Sequence, residues 1–166
     1  MLKRGLKVDF EESIKYIANS ILRISEDGNG NVIGISSSRF CKESKSNICE
    51  KVCEQIHNKG IDITLVDIDP RDRSNKKDSF NRICKDNISI RELDVLLSEQ
   101  REENDIVIVN IPSVVFSADS VEYASVWGRG ILLEKYMYTT YNGYEEALTR
   151  LNSYGVRIDG VVTYGA

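Results

Sequence analysis

Residues Ile33 to Asn47 read I-G-I-S-S-S-R-F-C-K-E-S-K-S-N, and residues Leu65 to Arg73 read L-V-D-I-D-P-R-D-R. Together they decide the fold. A short apolar strand runs into a polar loop, the loop ends in Lys45-Ser46, an amphipathic helix follows, and a second strand ends in two aspartates. On a parallel sheet this order brings strand ends and a helix N-terminus to one crevice, as a nucleotide site requires. The loop departs from that chemistry in one respect: no glycine stands between Ser37 and Lys45. Glycine permits positive φ and close approach of backbone to phosphate. Forcing ordinary residues left-handed costs roughly 1–2 kcal/mol each.

Working outward, residues 9–24 carry Phe10, Ile14, Ile17, Ile21 and Ile24 on one helical stripe. The run from Asp27 to Asn31, D-G-N-G-N, breaks the chain before a buried strand at Val32–Ser36. Ser46–Asn58 reads as a helix with Lys59-Gly60 as its C-terminal stop. Ile61–Val66 reads as the second strand, and residues 78–85 as a short helix. A helix over 89–101, a strand over 105–109, a strand over 130–136, a helix over 144–154 and a strand over 158–164 complete the pattern. The strands are near-continuous apolar runs rather than alternating ones, which argues that both faces of a parallel sheet are covered. The expectation is one α/β domain over 1–166, including the N-terminal helix 9–24. It is doubly wound and P-loop NTPase-like, with a mainly parallel sheet and helices on both faces.

The composition, 41% hydrophobic and 29% charged with a net charge of -4, is that of an ordinary globular protein. It gives no support to a nucleic-acid partner. No apolar run approaches the length of a membrane span and no signal-peptide core opens the chain, so a cytoplasmic location is expected. Of the four cysteines, Cys49 and Cys53 lie four apart, with His57 a further turn on. That spacing fits no common zinc pattern and lacks a fourth ligand. Buried reduced thiols are the expected state of the cysteines.

Three places could carry chemistry. Lys45 and Ser46 stand where a lysine meets phosphate and a hydroxyl meets Mg²⁺, although a polar loop with Ser44 or Ser46 as helix N-cap accounts for the same residues. Asp67 and Asp69 sit two apart at a strand end, where they can hold metal-bound water; a polar turn enforced by Pro70 is the competing reading. The third strand ends V-I-V-N-I-P-S, so Asn110 stands where a nucleotide hydrolase wants a carboxylate for Mg²⁺.

These segments together resemble the bacterial tyrosine kinases of capsule and exopolysaccharide synthesis. That family belongs to a wider group of deviant P-loop ATPases, which includes the plasmid-partition and septum-site ATPases. The family loop T-S-x-x-P-G-E-G-K-S-T is matched at Ser37, Ser38, Glu43, Lys45 and Ser46, with one inserted residue. Phe40 replaces the proline, and Cys41 and Ser44 replace the glycines. The D-x-D-x-R motif is intact as Asp67, Asp69 and Arg71. The D-T-P-P motif keeps Pro112, with Asn110 in place of its aspartate. The N-terminal helix is similar to the family's subunit-contact helix at Glu12 and Ile21, while Lys15 and Ala18 replace its arginines. The last helix and strand are also similar. The family's proline-rich insert has no counterpart between Asp72 and Asn104, and its tyrosine-rich tail is expected to be absent. Tyr136, Tyr138, Tyr141 and Tyr144 cluster instead around the fourth strand and its exit.

What the resemblance implies for the site is a nucleotide held by Ser38, Lys45, Ser46 and Arg71. Mg²⁺ would be held by Ser46 and Asp67, with Asp67 and Asp69 as the catalytic carboxylates. It also implies ATP and Mg²⁺ as cofactors in an active member, and a membrane-embedded chain-length regulator as partner. A homo-oligomer is left open. The glycine-free loop and Asn110 weigh against catalysis. The expectation is therefore a degenerate kinase-like domain with a regulatory or scaffolding role, binding nucleotide weakly or not at all. An active tyrosine autokinase and a partition-type ATPase are the alternatives.

Overall fold

The computed structural model describes residues 10–38, 42–68, 78–115, 117–135 and 140–164. β1 (Val32–Ser36), β2 (Ile63–Asp67) and β4 (Ile106–Asn110) are buried at every residue. β3 (Asn81–Cys84), β5 (Arg129–Lys135) and β6 (Ile158–Tyr164) complete a six-stranded sheet in the order β3-β2-β4-β1-β5-β6. Every pairing in it is parallel.

The helices are α1 (Phe10–Ser25), α2 (Lys42–His57), α3 (Ile90–Glu103), α4 (Ala118–Val126) and α5 (Tyr141–Ser153). The strand residues divide by parity, as period-two side chains must. Ile33, Ile35, Ile106, Ile108, Ile131 and Leu133 pack with α1 and α2. Val32, Val107, Val109 and Leu132 pack with α3, α4 and α5. Two buried cores, one on each face, are why the strands read as unbroken apolar runs. The doubly wound α/β expectation is met. Among the described residues no helix is long and apolar enough to cross a membrane.

The topology places the candidate site. The chain leaves β1 over the α1/α2 face to reach β2, and leaves β4 over the other face to reach β5. The C-terminal ends of β1 and β4, adjacent in the sheet, therefore flank the point where the winding reverses. Open α/β sheets bind ligands at such points.

Several local expectations need correction. Residues 78–85 hold a strand, β3, and no helix. It is a four-residue edge strand, exposed at Asn81 and Cys84, so it lacks the buried periodicity that marks a strand in sequence. Pairing with β2 in the register Thr64↔Asn81 through Asp67↔Cys84 fixes it, and the Asn81 amide donates to Thr64 Oγ1 at 3.1 Å. α2 starts at Lys42, so Ser44 and Ser46 lie inside the helix and neither is its N-cap. α4 was not anticipated, because its sequence A-D-S-V-E-Y-A-S-V has a short and weak apolar stripe. Cys49 and Cys53 are buried and form no disulfide, Cys53 with its thiol pushed up by burial, whereas Cys84 is exposed. Cys41, Tyr136 and Tyr138 lie outside the described residues.

The end of the sheet opposite the candidate site is closed by an ion-pair network. Arg129, buried at the start of β5, donates to Asp27 after α1, to Asp159 Oδ2 in β6 at 2.7 Å, and to the Ile24 carbonyl at 3.1 Å. The hydrogen bonds it donates to Asp27 and Asp159 hold the guanidinium above its ordinary pKa, and the same bonds from Arg129 hold Asp27 below the usual carboxylate range. A buried guanidinium is tolerated because its fork is satisfied in this way.

Trp127 is the chain's one tryptophan and is fully buried. Its ring lies across Gly34 and Gly130, which are direct neighbours in β1 and β5. A Cβ on Gly34 would come within 1.6 Å of the ring, and one on Gly130 within 2.4 Å. The two glycines form a flat slot between strands that only hydrogen side chains leave open. Overpacking a core of this density costs about 1–3 kcal/mol. Gly34→Ala is expected to lose about 3 kcal/mol of stability. Urea unfolding followed by the fluorescence of Trp127 checks this, and an unchanged midpoint would refute the slot.

Candidate functional site

Four side chains from four elements form one hydrogen-bonded chain at the strand ends. Lys45, on the first turns of α2, extends its ammonium to Asn110 Oδ1 and to the Ile111 carbonyl, both at 2.5 Å. The Asn110 amide donates to Asp67 Oδ1 at 3.0 Å. Arg82 on β3 donates to Asp67 Oδ2 at 2.8 Å. Lys45, Asn110 and Asp67 are each at most 1% exposed.

Register explains the convergence. Asn110 is the last residue of β4 and stands opposite both Ile35 in β1 and Asp67 in β2. A carboxamide carries an acceptor and a donor on one planar group. It can therefore receive the lysine and donate to the aspartate across a single strand. A carboxylate at 110 could receive Lys45 but would face Asp67 as a like charge, which close carboxylates resist. Asn110 is the residue type that lets both of its neighbours be satisfied.

Arg82 gathers a second layer of charge. Besides Asp67 it faces Asp78 Oδ2 at 3.6 Å and Glu50 Oε2 of α2 at 3.9 Å. Burial pushes the guanidinium down, but the hydrogen bond and charge of Asp67 outweigh it and hold Arg82 above its ordinary value.

The start of the loop is tied to the other half of the sheet. Ser36 Oγ donates to the Pro112 carbonyl at 2.9 Å. The Ser38 N–H donates to Glu134 Oε1 at 2.9 Å, and its hydroxyl to Glu134 Oε2 at 2.6 Å. Glu134, near the end of β5, is buried. A carboxylate thus sits against the backbone where the loop leaves β1.

Of the predicted site residues, the structure brings Lys45 and Asp67 together through Asn110. Ser38 is held apart by Glu134, and Ser46 is half-buried on α2 one residue beyond Lys45. Asp69 and Arg71 lie outside the described residues. Sequence reading missed Arg82 and Glu134. Arg82 fell in a segment read as helix, and Glu134 is a single charge in an apolar strand with no motif around it. Asn110 was visible as a lost carboxylate, but its bridging role depends on register.

The fit to Mg²⁺ and a nucleotide can be judged from this donor set. Mg²⁺ takes a tight octahedral shell of oxygens. Here one oxygen of Asp67 receives a guanidinium and the other an amide. The Lys45 ammonium is directed at a side-chain and a main-chain carbonyl, and the Ser38 N–H is committed to Glu134. The described residues do not fit a Mg²⁺-nucleotide. Nor, among them, is any group of three or more His, Cys, Asp or Glu placed to hold a metal.

No protein-family model matches the chain, and no curated protein matches it in sequence. Solved structures do match in shape. The kinase domain of the Escherichia coli tyrosine kinase ETK aligns with a TM-score of 0.80 at 16% identity, over 93% of this chain and 75% of that one. The BceF tyrosine kinase domain aligns at 0.75 and 17% identity, over 93% and 76% of the two chains. The cell-division protein MinD of Aquifex aeolicus aligns at 0.65 and 13% identity, over 81% and 69%. The fold is that of bacterial tyrosine kinase domains within the P-loop NTPase-like α/β class.

If Lys45 serves the internal chain, removing it must cost stability with no nucleotide present. Lys45→Met leaves the Asn110 and Ile111 oxygens without their ammonium, a loss of about 1–3 kcal/mol. Urea unfolding of the nucleotide-free protein measures it. An unchanged midpoint would mean that Lys45 has no structural role.

Proposed function

We propose that this chain is a degenerate tyrosine-kinase-like domain with a regulatory or scaffolding role in capsular or exopolysaccharide biosynthesis, its nucleotide binding weak or lost. One observation carries the reading. The lysine that would meet phosphate and the aspartate that would hold Mg²⁺ are joined to each other through Asn110, and Arg82 lies on the far side of that aspartate. Catalysis of phosphoryl transfer is almost entirely positioning and charge stabilisation. A site whose charges face one another has little left to offer a transferring phosphoryl group. The glycine-free loop and the Ser38–Glu134 contact point the same way.

The polysaccharide context is supported by the shape of the tyrosine kinase domains it resembles and by the D-x-D-x-R and proline signatures in the sequence. On this reading the domain works in the cytoplasm beside a membrane-embedded chain-length regulator. It acts there as a folded partner and not as a source of phosphate transfer.

Calorimetric titration with Mg-ATP tests the proposal, with Lys45→Met as control after its fold is verified by circular dichroism. No binding heat at millimolar ATP is expected. Micromolar binding that disappears in the variant would overturn the reading in favour of an active autokinase or ATPase.

A further inference from the structure

We propose that Arg82 is a built-in replacement for a divalent cation, so that Asp67 acts as the anion of an internal ion pair and not as a metal ligand. This rests on the reading that nucleotide binding is weak or lost, and it names what took the metal's place. Asp67 is completely buried at the end of β2. A buried carboxylate needs a counter-charge and hydrogen bonds, and without them it would cost several kcal/mol. A metal ion is one way to meet that need and a cationic side chain is another.

Arg82 comes from the neighbouring edge strand, opposite Leu65 and two residues short of the Asp67 level. Its side chain runs along the sheet edge to Asp67 and is only 16% exposed. Around it stand three carboxylates from three places in the chain: Asp67 of β2, Glu50 of α2 and Asp78 before β3. The spacings are those of a guanidinium, and the three carboxylates are not grouped to hold a metal. The nearest oxygen is at 2.8 Å and the other two at 3.6 and 3.9 Å, whereas Mg²⁺ would draw oxygens to about 2.0–2.1 Å. The guanidinium is always charged and its fork reaches carboxylates in several directions, which a single ammonium cannot do as well. Asn110 completes the arrangement by donating to the remaining Asp67 oxygen. A carboxylate at 110 could not donate to that oxygen and would face it as a like charge, so the neutral residue and the arginine belong to one device.

Two measurements on the purified chain test this. The first is a Mn²⁺ titration followed by electron paramagnetic resonance, without nucleotide, on wild type and Asp67→Asn. The two proteins are expected to leave the same free Mn²⁺ signal up to millimolar metal. A site present in wild type and lost in Asp67→Asn would overturn the proposal. The second is a double-mutant cycle of Arg82→Gln and Asp67→Asn on urea unfolding. Arg82→Gln is expected to lower the folding constant at least about tenfold in wild type, and by about tenfold less when Asp67 is already Asn. Additive losses would overturn the proposal. Should Arg82→Gln fail to fold, Arg82→Met enters the same cycle with the same criterion. The outcomes separate the two readings. Mg-ATP binding together with strong Arg82–Asp67 coupling and no Asp67-dependent Mn²⁺ site would sink the regulatory reading and leave the role of Arg82 standing. An Asp67-dependent Mn²⁺ site in a protein that binds no ATP would do the reverse.

Discussion

The carboxamide of Asn110 is the constraint on which the rest of the site depends. It sits fully buried at the end of the central strand β4, between β1 and β2. In so buried a place every polar atom needs a partner. The amide meets this by accepting from Lys45 and donating to Asp67. A positive charge from one helix and a negative charge from one strand are thereby joined through a neutral group. Arg82 then closes the chain on the outer side of Asp67. A broken link in such a network leaves a buried charge without its partner.

The remainder of the fold frames this chain without supplying chemistry to it. At the opposite end of the strands, Arg129 ties α1, β5 and β6 through Asp27 and Asp159. In the middle, Trp127 lies flat over the paired glycines of β1 and β5. Both features fix β5 against its neighbours, and β5 in turn carries Glu134 to the Ser38 backbone. The loop exit is thus anchored to a rigid strand and to a negative charge. Phosphate loops work through inward N–H groups and positive ends of helices, and the Ser38 N–H is instead committed to Glu134.

Much of this was legible in the sequence, and what was not had physical reasons. The runs at Val32–Ser36, Ile61–Val66 and Asp105–Val109 announced buried parallel strands because both faces of each are covered. Lys45, Asp67 and Asn110 could be placed at strand and helix ends from motif order alone. β3 escaped because a short edge strand carries no period, and Arg82 escaped with it. The Glu134–Ser38 bond spans 96 residues of sequence and leaves no local signature. Asn110 showed the opposite problem. It was seen as a missing charge, while the register that makes it a bridge between Lys45 and Asp67 exists only in the folded sheet.

The most direct test of the closed polar chain is nuclear magnetic resonance of the Asn110 side-chain amide, assigned by its loss in Asn110→Leu. Its two proton signals are expected to be protected from solvent exchange and not to shift when millimolar Mg-ATP is added. Rapid exchange in the free protein, or a saturable shift with Mg-ATP, would contradict a polar chain closed to nucleotide.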